Sequence, residues 1–594
     1  MKTRKQNIGC NWTCYNISKD ADSIVLILNY FALLYINIMF VNTQTWLYVL
    51  ILHVVFAIGS SKFNILYLLA DDLRPTLGCY SDPVVRSPNI DQLASLSTVF
   101  YNTFAQQAVC GPSRVSFLTS RRPDTTKLYD FNSYWRDHAG NYTTLPQYFK
   151  SNGYTTLSVG KVFHPGIASN HSDDYPYSWS VPPYHPPSFK YEKRKVCKDK
   201  DGTLHSNLLC PVDVSEMPLG TLPDMENTAE AVRLLDSMKD AQNPFFLAVG
   251  FYKPHIPFRI PREYLKLYPI ESMTLAPDPD VPKKLPDVAY NPWTDIRKRE
   301  DVQALNLSFP YGPIPKDFQL QIRQHYFASV SYVDAQVGKI LQALDDLGLA
   351  KNTIVVFSSD HGWSLGEHGE WAKYSNFDVA TRVPLIVYKP GVTSPFSRPG
   401  EKTFPFINVF QGTREQFGKG QGVEKVVELV DVFPTLSSLA GLRPLSHCPP
   451  SSFKIELCTE GSSQAHLIRI PERDVHREAY SFSQYPRPSD SIQENSDLPN
   501  LADIRIMGYS IRSTDYRYTL WVGFDPLRCQ PNMTDIHAGE MYLLAEDPGE
   551  DNNVFEEFDL ATVMQKLGVL PSWTESLKHH IMYHSNGLKS KGIM

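Results

Sequence analysis

Four continuous apolar runs, separated by segments of helical periodicity, limit the folds that this 594-residue chain can adopt. The runs lie at residues 63–70, 154–159, 245–251 and 353–358. Strands without polar alternation are typical of parallel sheets that are covered by helices on both faces. We therefore predict an α/β domain over residues 61–445, built on a large, mostly parallel sheet flanked by helices.

Helical patterns lie between and after these runs. Thr144 and Gln147 form a capping-box pattern, which predicts a helix that stops near Gly153. Residues 316–347 show a long helical periodicity, and residues 426–442 show a shorter one. These segments are the expected covering layers of the sheet.

The composition changes after residue 445. Residues 446–475 are rich in Pro, Ser and charged side chains, which predicts a linker or exposed loop. Short β-rich runs then follow at 479–482, 504–511, 516–522 and 541–544. They predict that residues 476–594 form a smaller C-terminal α+β subdomain containing an antiparallel sheet.

The N-terminal segment, residues 1–59, is predicted to be a signal peptide or an N-terminal extension. It contains apolar runs at 24–41 and 46–58, and the second ends in the small residues Ala57 and Gly59, as a signal-peptidase site requires. Sequons for N-glycosylation fit a secretory protein and lie at Asn141, Asn170, Asn306 and Asn532. We expect no stable membrane anchor after processing.

Cysteine spacing and charge narrow the class of protein. Two cysteine pairs bracket short loops, which predicts local disulfides in an oxidising compartment, Cys197–Cys210 and Cys448–Cys458. The formal charge of −6 argues against a partner that is a nucleic acid, because such binders are normally basic. A local cationic pocket can still bind a small anion.

Each of the four apolar runs is followed by ionisable residues, which are Asp71 and Asp72, Lys161, Lys253 with His255, and Asp360 with His361. In open α/β sheets, ligands bind at the carboxyl ends of the strands, so we expect these side chains to share one site. Crowded carboxylates favour a bound hard cation such as Ca²⁺ or Mg²⁺. The imidazole of His361 suits softer metals better, so spacing alone leaves the metal open.

A short segment around Cys110 carries a second set of chemical groups. Pro112 suits the first turn of a helix, which places Cys110 and Ser113 at the helix N-terminus. Free backbone N–H groups there favour an anion such as sulfate, and Arg114 adds a planar cation. A buried structural cysteine and a thiolate nucleophile remain open alternatives at this point.

The segment Cys110-Gly-Pro-Ser-Arg114 resembles the Cys-x-Pro-Ser-Arg signature of the sulfatase family, extended through Thr119, Ser120 and Arg121. The other elements of the family pattern follow in order and are Asp71-Asp72, the Lys161 and His164 of Gly-Lys-Val-Phe-His, the His255 of Lys-Pro-His, and Asp360-His361-Gly362. The resemblance covers residues 63–550 and implies the sulfatase fold, which alkaline phosphatases share. It also implies that the formylglycine-generating enzyme converts Cys110 to formylglycine (3-oxoalanine) during secretion.

The resemblance implies a role for each matched residue. One Ca²⁺ would be bound by Asp71, Asp72, Cys110, Asp360 and His361. Sulfate oxygens would be held by Arg114, Lys161 and Lys373, and protons would be transferred by His164 and His255. Hydrated formylglycine would attack sulfur, release the sugar alcohol and then expel sulfate to restore the aldehyde.

Longer segments resemble one branch of the family and lie at 87–93, 122–126, 128–135, 369–375 and 483–490. That branch removes the 2-O-sulfate from non-reducing-end L-iduronate of heparan sulfate and dermatan sulfate. The resemblance thus implies a lysosomal or secreted glycoprotein that binds a sulfated glycosaminoglycan. The expected substrate-binding residues are His255, Asp295, Trp363, Lys373 and Tyr374, with Trp363 as an apolar wall for the sugar.

Three other functions fit parts of the pattern. The first is an exosulfatase for another sulfated glycan. The second is a phosphoester hydrolase, which normally uses Ser or Thr and two metal ions. The third is an inactive glycan-binding protein, which would have lost at least one member of the set Cys110, Arg114, Asp71, Asp72 and Asp360; all five are present.

Overall fold

The computed structural model describes residues 62–411, 417–418, 420–449, 452–469 and 479–556, which belong to one unit beginning at Lys62. The predicted signal segment and the end of the chain after residue 556 lie outside the described residues. The strands are β1 Asn64–Asp71, β2 Thr98–Phe104, β3 Thr155–Gly160, β4 Cys197–Lys198, β5 Leu204–His205, β6 Leu209–Val212, β7 Phe245–Pro254, β8 Phe258–Pro261, β9 Thr353–Ser359, β10 Ser364–Leu365, β11 Trp371–Ala372, β12 Arg382–Tyr388, β13 Gln421–Val423, β14 Val427–Glu428, β15 Ser481–Arg487, β16 Ile506–Arg512, β17 Tyr516–Asp525 and β18 Gln530–Leu543. The helices are α1 Pro88–Ser95, α2 Cys110–Thr119, α3 Pro123–Thr126, α4 Trp135–His138, α5 Leu145–Ser151, α6 Pro223–Met238, α7 Thr294–Arg297, α8 Glu300–Gln303, α9 Lys316–Asp346, α10 Asp378–Thr381, α11 Val432–Leu439 and α12 Ala465–Arg469.

The main sheet has eight strands in the order β13-β2-β12-β9-β1-β7-β3, with β14 also paired to β2. Strands β9, β1, β7 and β3 are mutually parallel. Strand β12 runs antiparallel to both of its neighbours, β9 and β2. The prediction of a large, mostly parallel sheet is confirmed.

Strand β1 shows why its apolar run is continuous. Leu66 and Leu68 pack into a core that includes residues of α1, α6 and α9. The alternating residues Ile65 and Tyr67 pack into a second core with residues of α2, α5 and α11. Since successive side chains of a strand point to opposite faces, a strand covered on both faces needs apolar residues at every position.

Two of the predicted helices form, and the third is only partly correct. Thr144 caps α5 with the predicted box, accepting from the Gln147 N–H, and the long pattern becomes α9. The segment 426–442 instead begins as β14, where Val427 pairs with Thr103 of β2, and becomes α-helical only from Val432. Pairing with the sheet edge, a long-range contact, replaces the first turn of the predicted helix.

Residues 446–475, the predicted linker or exposed loop, pack against the rest of the chain at several of their described positions. Ser452 accepts a hydrogen bond from Arg121 Nη1 at 2.9 Å, and the buried Glu460 accepts from the Arg122 N–H at 2.7 Å. Within α12, Leu467 and Ile468 are buried. These contacts attach the segment to the chain that follows α2.

The C-terminal sheet is antiparallel, with the order β15-β16-β17-β18, as predicted. It is joined to the main sheet next to the end of β2. Ser483 Oγ donates to the Ala105 carbonyl at 2.6 Å, and the Gln484 N–H donates to the Gln106 carbonyl at 2.9 Å. The second sheet therefore borders the loop that leads to Cys110.

Features expected of a secretory protein are present in the described residues. The structure contains the disulfides Cys197–Cys210 and Cys448–Cys458. The sequon asparagines are exposed at all four positions, Asn141, Asn170, Asn306 and Asn532. None of the helices in the described ranges is long and apolar enough to cross a membrane.

Candidate active site

The site lies at one edge of the main sheet. Because β1, β3, β7 and β9 are parallel, their carboxyl ends meet at this edge, and the residues that follow them converge there. Strand β2 runs in the same direction, since it and β9 are both antiparallel to β12. The loop after β2 therefore delivers Cys110, the first residue of α2, to the same place.

Cys110 is the centre of this group and is 1% exposed. Its Sγ has four close polar neighbours, which are Lys373 Nζ at 3.2 Å, His361 Nε2 at 3.3 Å, Asp71 Oδ1 at 3.4 Å and Lys161 Nζ at 3.5 Å. Burial, reinforced by the Asp71 carboxylate, raises the pKa of the thiol. Without a cation in the site, the unmodified side chain is therefore not a ready thiolate.

The structure brings together four of the five predicted metal ligands. One donor atom each from Asp71, Asp72, Cys110 and His361 lies within 4.8 Å of the others. Asp72 Oδ2 is buried and has no hydrogen-bond partner among the described residues. Burial raises the pKa of Asp72 to about 7, although Lys373 opposes this shift. A divalent cation would satisfy the unpartnered oxygen and offset the burial of charge, so these residues fit a metal.

Asp72 has a left-handed backbone with φ 65°, which the surrounding structure holds in place. Its N–H donates to Asp360 Oδ1 at 3.1 Å, and its carbonyl accepts from the Tyr326 hydroxyl at 2.8 Å. Such a backbone is costly for a residue other than glycine and is common where a side chain must be aimed at a site. Here it turns the carboxylate toward Cys110.

Asp360 stands beside the group of four. Its Oδ1 accepts from the N–H groups of Asp72 and His361, the second at 3.0 Å. Its Oδ2 accepts from Arg114 Nε at 2.9 Å. These contacts make Asp360 a support of the site, and its ligation of a metal stays a prediction.

Arg114 is fully buried, and its donors face the protein. Its guanidinium contacts Asp360, Asp71 Oδ1 at 3.0 Å, the Lys161 carbonyl, and the Val162 carbonyl at 3.2 Å. These bonds differ from the predicted contact with sulfate. In this structure Arg114 braces two carboxylates and the turn after β3.

Two lysines place positive charge next to Cys110. Lys161 Nζ lies 2.6 Å from Asp71 Oδ2, and Lys373 Nζ lies 2.7 Å from Asp72 Oδ1. Burial works to raise the pKa of Asp71, but Lys161 and Arg114 hold it well below its usual range. Asp71 is therefore ionised, as metal binding requires.

The two predicted proton-transfer histidines occupy different surroundings. His164 stacks on Phe131 with ring centroids 4.1 Å apart, and its Nδ1 has no hydrogen-bond partner in the described part of the chain. His255 Nε2 lies 3.9 Å from Asp72 Oδ2, and its side chain is 29% exposed. Burial, with Lys161 near His164 and Lys373 near His255, holds both pKa values well below the usual range. Both imidazoles are thus neutral and able to accept a proton.

Lys253, near the end of β7, has a structural task. Lys253 Nζ donates to the carbonyls of His255 and Pro257, at 2.5 Å and 2.8 Å. Lys253 therefore shapes the turn that carries His255, and its charge does not face Cys110.

The predicted substrate residues are only partly grouped as expected. The Tyr374 hydroxyl donates to Asp295 Oδ2 at 2.9 Å, so these two form a pair next to Lys373. Trp363 is 1% exposed and packs on Tyr326 and Phe258. The prediction that Trp363 forms an open wall for the sugar is wrong, because its ring belongs to the core beneath the site.

Sequence reasoning missed two residues that position Lys373 and Tyr374. Asn291 Nδ2 donates to the Trp371 carbonyl at 2.9 Å and to the Lys373 carbonyl. Arg487 Nη2 donates to the Tyr374 carbonyl at 2.9 Å. Both act on backbone carbonyls that are distant in sequence, and no local pattern signals such contacts.

The carboxylates can bind a cation, and the two lysines contact the buried Cys110 Sγ. This arrangement favours an ester whose reacting group is anionic, because fixed cations stabilise the charge that develops during the reaction. The fold and site thus define a hydrolase of anionic esters. Comparison with known proteins gives the family. The Sulfatase family model matches residues 63–442, more than half of the chain. The chain belongs to the sulfatase family and hydrolyses sulfate esters.

Two relatives match most of the chain. Iduronate 2-sulfatase of Mus musculus is 64% identical over 506 residues, covering 84% of this chain and 92% of that protein. Iduronate 2-sulfatase of Homo sapiens is 60% identical over 537 residues, covering 88% of this chain and 98% of that protein. The likeness therefore extends well beyond the matched family domain.

Solved structures share the fold at low identity. The phosphonate monoester hydrolase of Agrobacterium radiobacter superposes with a TM-score of 0.59 at 20% identity, covering 87% of this chain and 96% of that chain. A likeness at this level shows the fold alone. The assignment to sulfate esters therefore rests on the family match and the two relatives, and that solved structure adds only the fold.

Proposed function

We propose that this chain removes the 2-O-sulfate from non-reducing-end L-iduronate of heparan sulfate and dermatan sulfate. The proposal is carried by Cys110, which is the first residue of α2 and lies beside three other potential ligands and two lysines. It is supported by the 60% and 64% identities to the two iduronate 2-sulfatases.

Two groups would complete the chemistry. Formylglycine formed from Cys110 would supply, as its hydrate, one hydroxyl as the nucleophile toward sulfur and a second hydroxyl whose loss of a proton would release sulfate. Asp71, Asp72, His361 and residue 110 would hold a Ca²⁺, which would supply Lewis-acid polarisation. The oxygen of formylglycine takes the place of the sulfur, so Cys110 Sγ marks the position of that oxygen.

The protein's own residues then bind and orient the ester. Lys161 and Lys373 place ammonium groups 3.5 Å and 3.2 Å from Sγ, where sulfate oxygens would lie during transfer. Since the site is buried, these charges act with little screening by water. Arg114 contributes indirectly by holding Asp71 and Asp360 in place.

Proton transfer falls to the two neutral histidines. Both side chains are partly exposed, and His255 Nε2 lies 3.9 Å from Asp72 Oδ2. His164 is held against Phe131, which fixes the plane of its ring. We assign the protonation of the leaving sugar oxygen to His255, because it is partly exposed and lies 3.9 Å from Asp72 Oδ2 in the metal group. The neutral imidazole would first take up a proton from solvent, and the negative charge of the bound sulfate ester favours that imidazolium form.

The iduronate carboxylate needs a partner besides the lysines that hold sulfate. His255 and the Tyr374–Asp295 pair remain for this purpose, whereas Lys373 is occupied at Asp72 and Sγ. The Tyr374 hydroxyl could turn from Asp295 to the substrate, and Asp295 would then accept from a sugar hydroxyl.

The proposed compartment is the lysosome, reached through the secretory pathway. Burial raises the pKa of Asp334 and of Glu370 to about 8. The folded chain keeps these protons up to about pH 8, whereas the unfolded chain releases them near pH 4. The free energy of unfolding is therefore higher at acid pH than at neutral pH. The formylglycine-generating enzyme would be a transient partner during secretion.

The substrate proposal is tested with two sulfated sugars. We expect hydrolysis of a disaccharide that ends in 2-O-sulfated iduronate and little hydrolysis of a neutral 6-O-sulfated hexosamine. A charge-assisted contact to the carboxylate contributes about 1.5–3 kcal/mol, or roughly tenfold to 150-fold in kcat/KM. Preference for the hexosamine would refute the iduronate assignment and leave the sulfatase activity standing.

A further inference from the structure

A second cluster of potential metal ligands lies outside the group around Cys110. It consists of Asp278, His368 and Asp551, with one donor atom from each lying within 4.8 Å of the others. The three residues come from distant segments. His368 belongs to the turn Glu367–Gly369, and Asp551 follows the last strand of the C-terminal sheet.

Two carboxylate oxygens of the cluster converge beside Gly549. A Cβ placed on Gly549 would lie 2.8 Å from Asp551 Oδ2 and 3.3 Å from Asp278 Oδ2. The Gly549 carbonyl also faces the cluster and accepts a hydrogen bond from His368 Nε2 at 2.6 Å, which binding of an ion would replace. That same nitrogen lies 3.5 Å from Asp278 Oδ2. Because glycine has no side chain, a space bordered by oxygen and nitrogen atoms remains beside position 549.

Polar atoms of the cluster are buried without partners. The side chain of Asp278 is 9% exposed and that of His368 is 1% exposed. Asp278 Oδ1 and His368 Nδ1 have no hydrogen-bond partner within the described ranges. Leaving such groups unsatisfied is unfavourable, and native proteins rarely retain them unless a ligand or water satisfies them.

Cations offset the charges of the cluster only from a distance. Within the described part of the chain, no lysine or arginine lies within 4.0 Å of the carboxylate oxygens of Asp278 or Asp551. Burial raises the pKa of Asp278 to about 7, Glu367 and Asp551 add to the shift, and Arg74 opposes it. Burial and Asp547 likewise raise the pKa of Asp551, and Lys283 opposes that shift. A bound cation would offset this repulsion.

We propose that Asp278, His368 and Asp551, together with the Gly549 carbonyl, bind one divalent cation separate from the one at Cys110. Three oxygen donors and one imidazole suit Mn²⁺ or Zn²⁺ better than Ca²⁺, which takes oxygen ligands. Asp551 is partly exposed, so the ion can reach the site from solvent.

This cation would link two parts of the fold. The His368 N–H already donates to the Asp278 carbonyl at 2.8 Å, and the turn Glu367–Gly369 leads directly into β11 and Lys373. The ion would join that turn to the segment after β18. Its role is thus to stabilise the structure, and the proposal does not depend on which sulfate ester is cleaved.

The test is equilibrium dialysis of the purified full-length chain against Mn²⁺, with bound metal measured by elemental analysis. The wild type should bind one Mn²⁺ more per chain than the double variant Asp278→Asn/Asp551→Asn. The control is Asp280→Asn, which removes an exposed carboxylate from the same loop and should bind as much Mn²⁺ as the wild type. Equal binding by wild type and double variant would overturn the proposal.

A second variant guards against misfolding of the first. Gly549→Ala keeps both carboxylates and fills the space between them, and the position does not require a positive φ. It should also bind one Mn²⁺ fewer, while hydrolysis of an aryl sulfate shows that the fold is intact. Wild-type Mn²⁺ binding by an active Gly549→Ala protein would contradict the proposed site.

Discussion

Replacement of Lys373 by alanine should lower activity on every sulfate ester by a similar factor. Lys373 Nζ contacts Asp72 Oδ1 at 2.7 Å and Cys110 Sγ at 3.2 Å, and its side chain is 3% exposed. Loss of a buried charge-assisted hydrogen bond costs about 1.5–3 kcal/mol. At 1.36 kcal/mol for each factor of ten, kcat/KM should fall by about tenfold to 150-fold.

The assay compares a small aryl sulfate with a disaccharide that ends in 2-O-sulfated iduronate. Lys298→Ala is the matched control, because Lys298 is exposed and lies outside the cluster around Cys110. Similar losses on both substrates are expected, since the ammonium group faces the reacting atoms. A loss confined to the iduronate substrate would show that Lys373 recognises the sugar carboxylate and would refute this reasoning.

Three further substitutions test separate parts of the account. Cys110→Ser should abolish turnover but leave the melting temperature nearly unchanged, because a serine alcohol cannot expel sulfate to regenerate itself; measurable steady turnover would contradict this. Asp360→Asn should lower activity and increase sensitivity to chelators while the chain stays folded, since it weakens the bond to Arg114 Nε at 2.9 Å; unchanged activity and unchanged chelator sensitivity would remove Asp360 from the site. Glu370→Gln should reduce the loss of stability that accompanies rising pH. The folded chain holds the Glu370 proton up to about pH 8, whereas the unfolded chain releases it near pH 4, so the wild-type unfolding free energy should fall across that window by up to about 1.4 kcal/mol per pH unit for this group. Urea titrations at pH 5 and pH 7.5 measure the difference, and identical pH dependence in both proteins would contradict a buried, protonated Glu370.

Local patterns in the sequence were sufficient to predict the sheet and its functional edge. The apolar runs ending at Asp71 and Asp360 became β1 and β9 within a residue or two of the predicted ends. Burial on both faces requires such runs, and parallel pairing then brings their carboxyl ends together. The Cys110 helix start followed from Pro112 in its first turn.

Contacts between distant segments could not be predicted in this way. Trp363 follows the site residues closely in sequence, yet its ring packs against Phe258 and Tyr326 in the core. Asn291 holds the carbonyl of Lys373 although nothing in its own segment indicates that task. Side-chain direction in irregular segments is decided by tertiary packing, which local periodicity does not encode.

Arg114 illustrates the same limit at the site itself. Its presence in the segment after Cys110 indicated a cation, but the structure directs its donors to Asp71, Asp360 and two carbonyls. The residue type therefore predicted a positive charge at the site, but the sequence did not predict which groups Arg114 contacts. The direct contacts to the reacting position come instead from Lys161 and Lys373.

The modification state of residue 110 tests the central claim most directly. Trypsin releases a peptide covering residues 87–114, which ends at Arg114 and contains Cys110. In an active preparation from a secretory host, its mass should show that oxygen has replaced sulfur and that two hydrogens have been lost, and it should react with aldehyde reagents. An active preparation in which this peptide carries only unmodified cysteine would contradict the account.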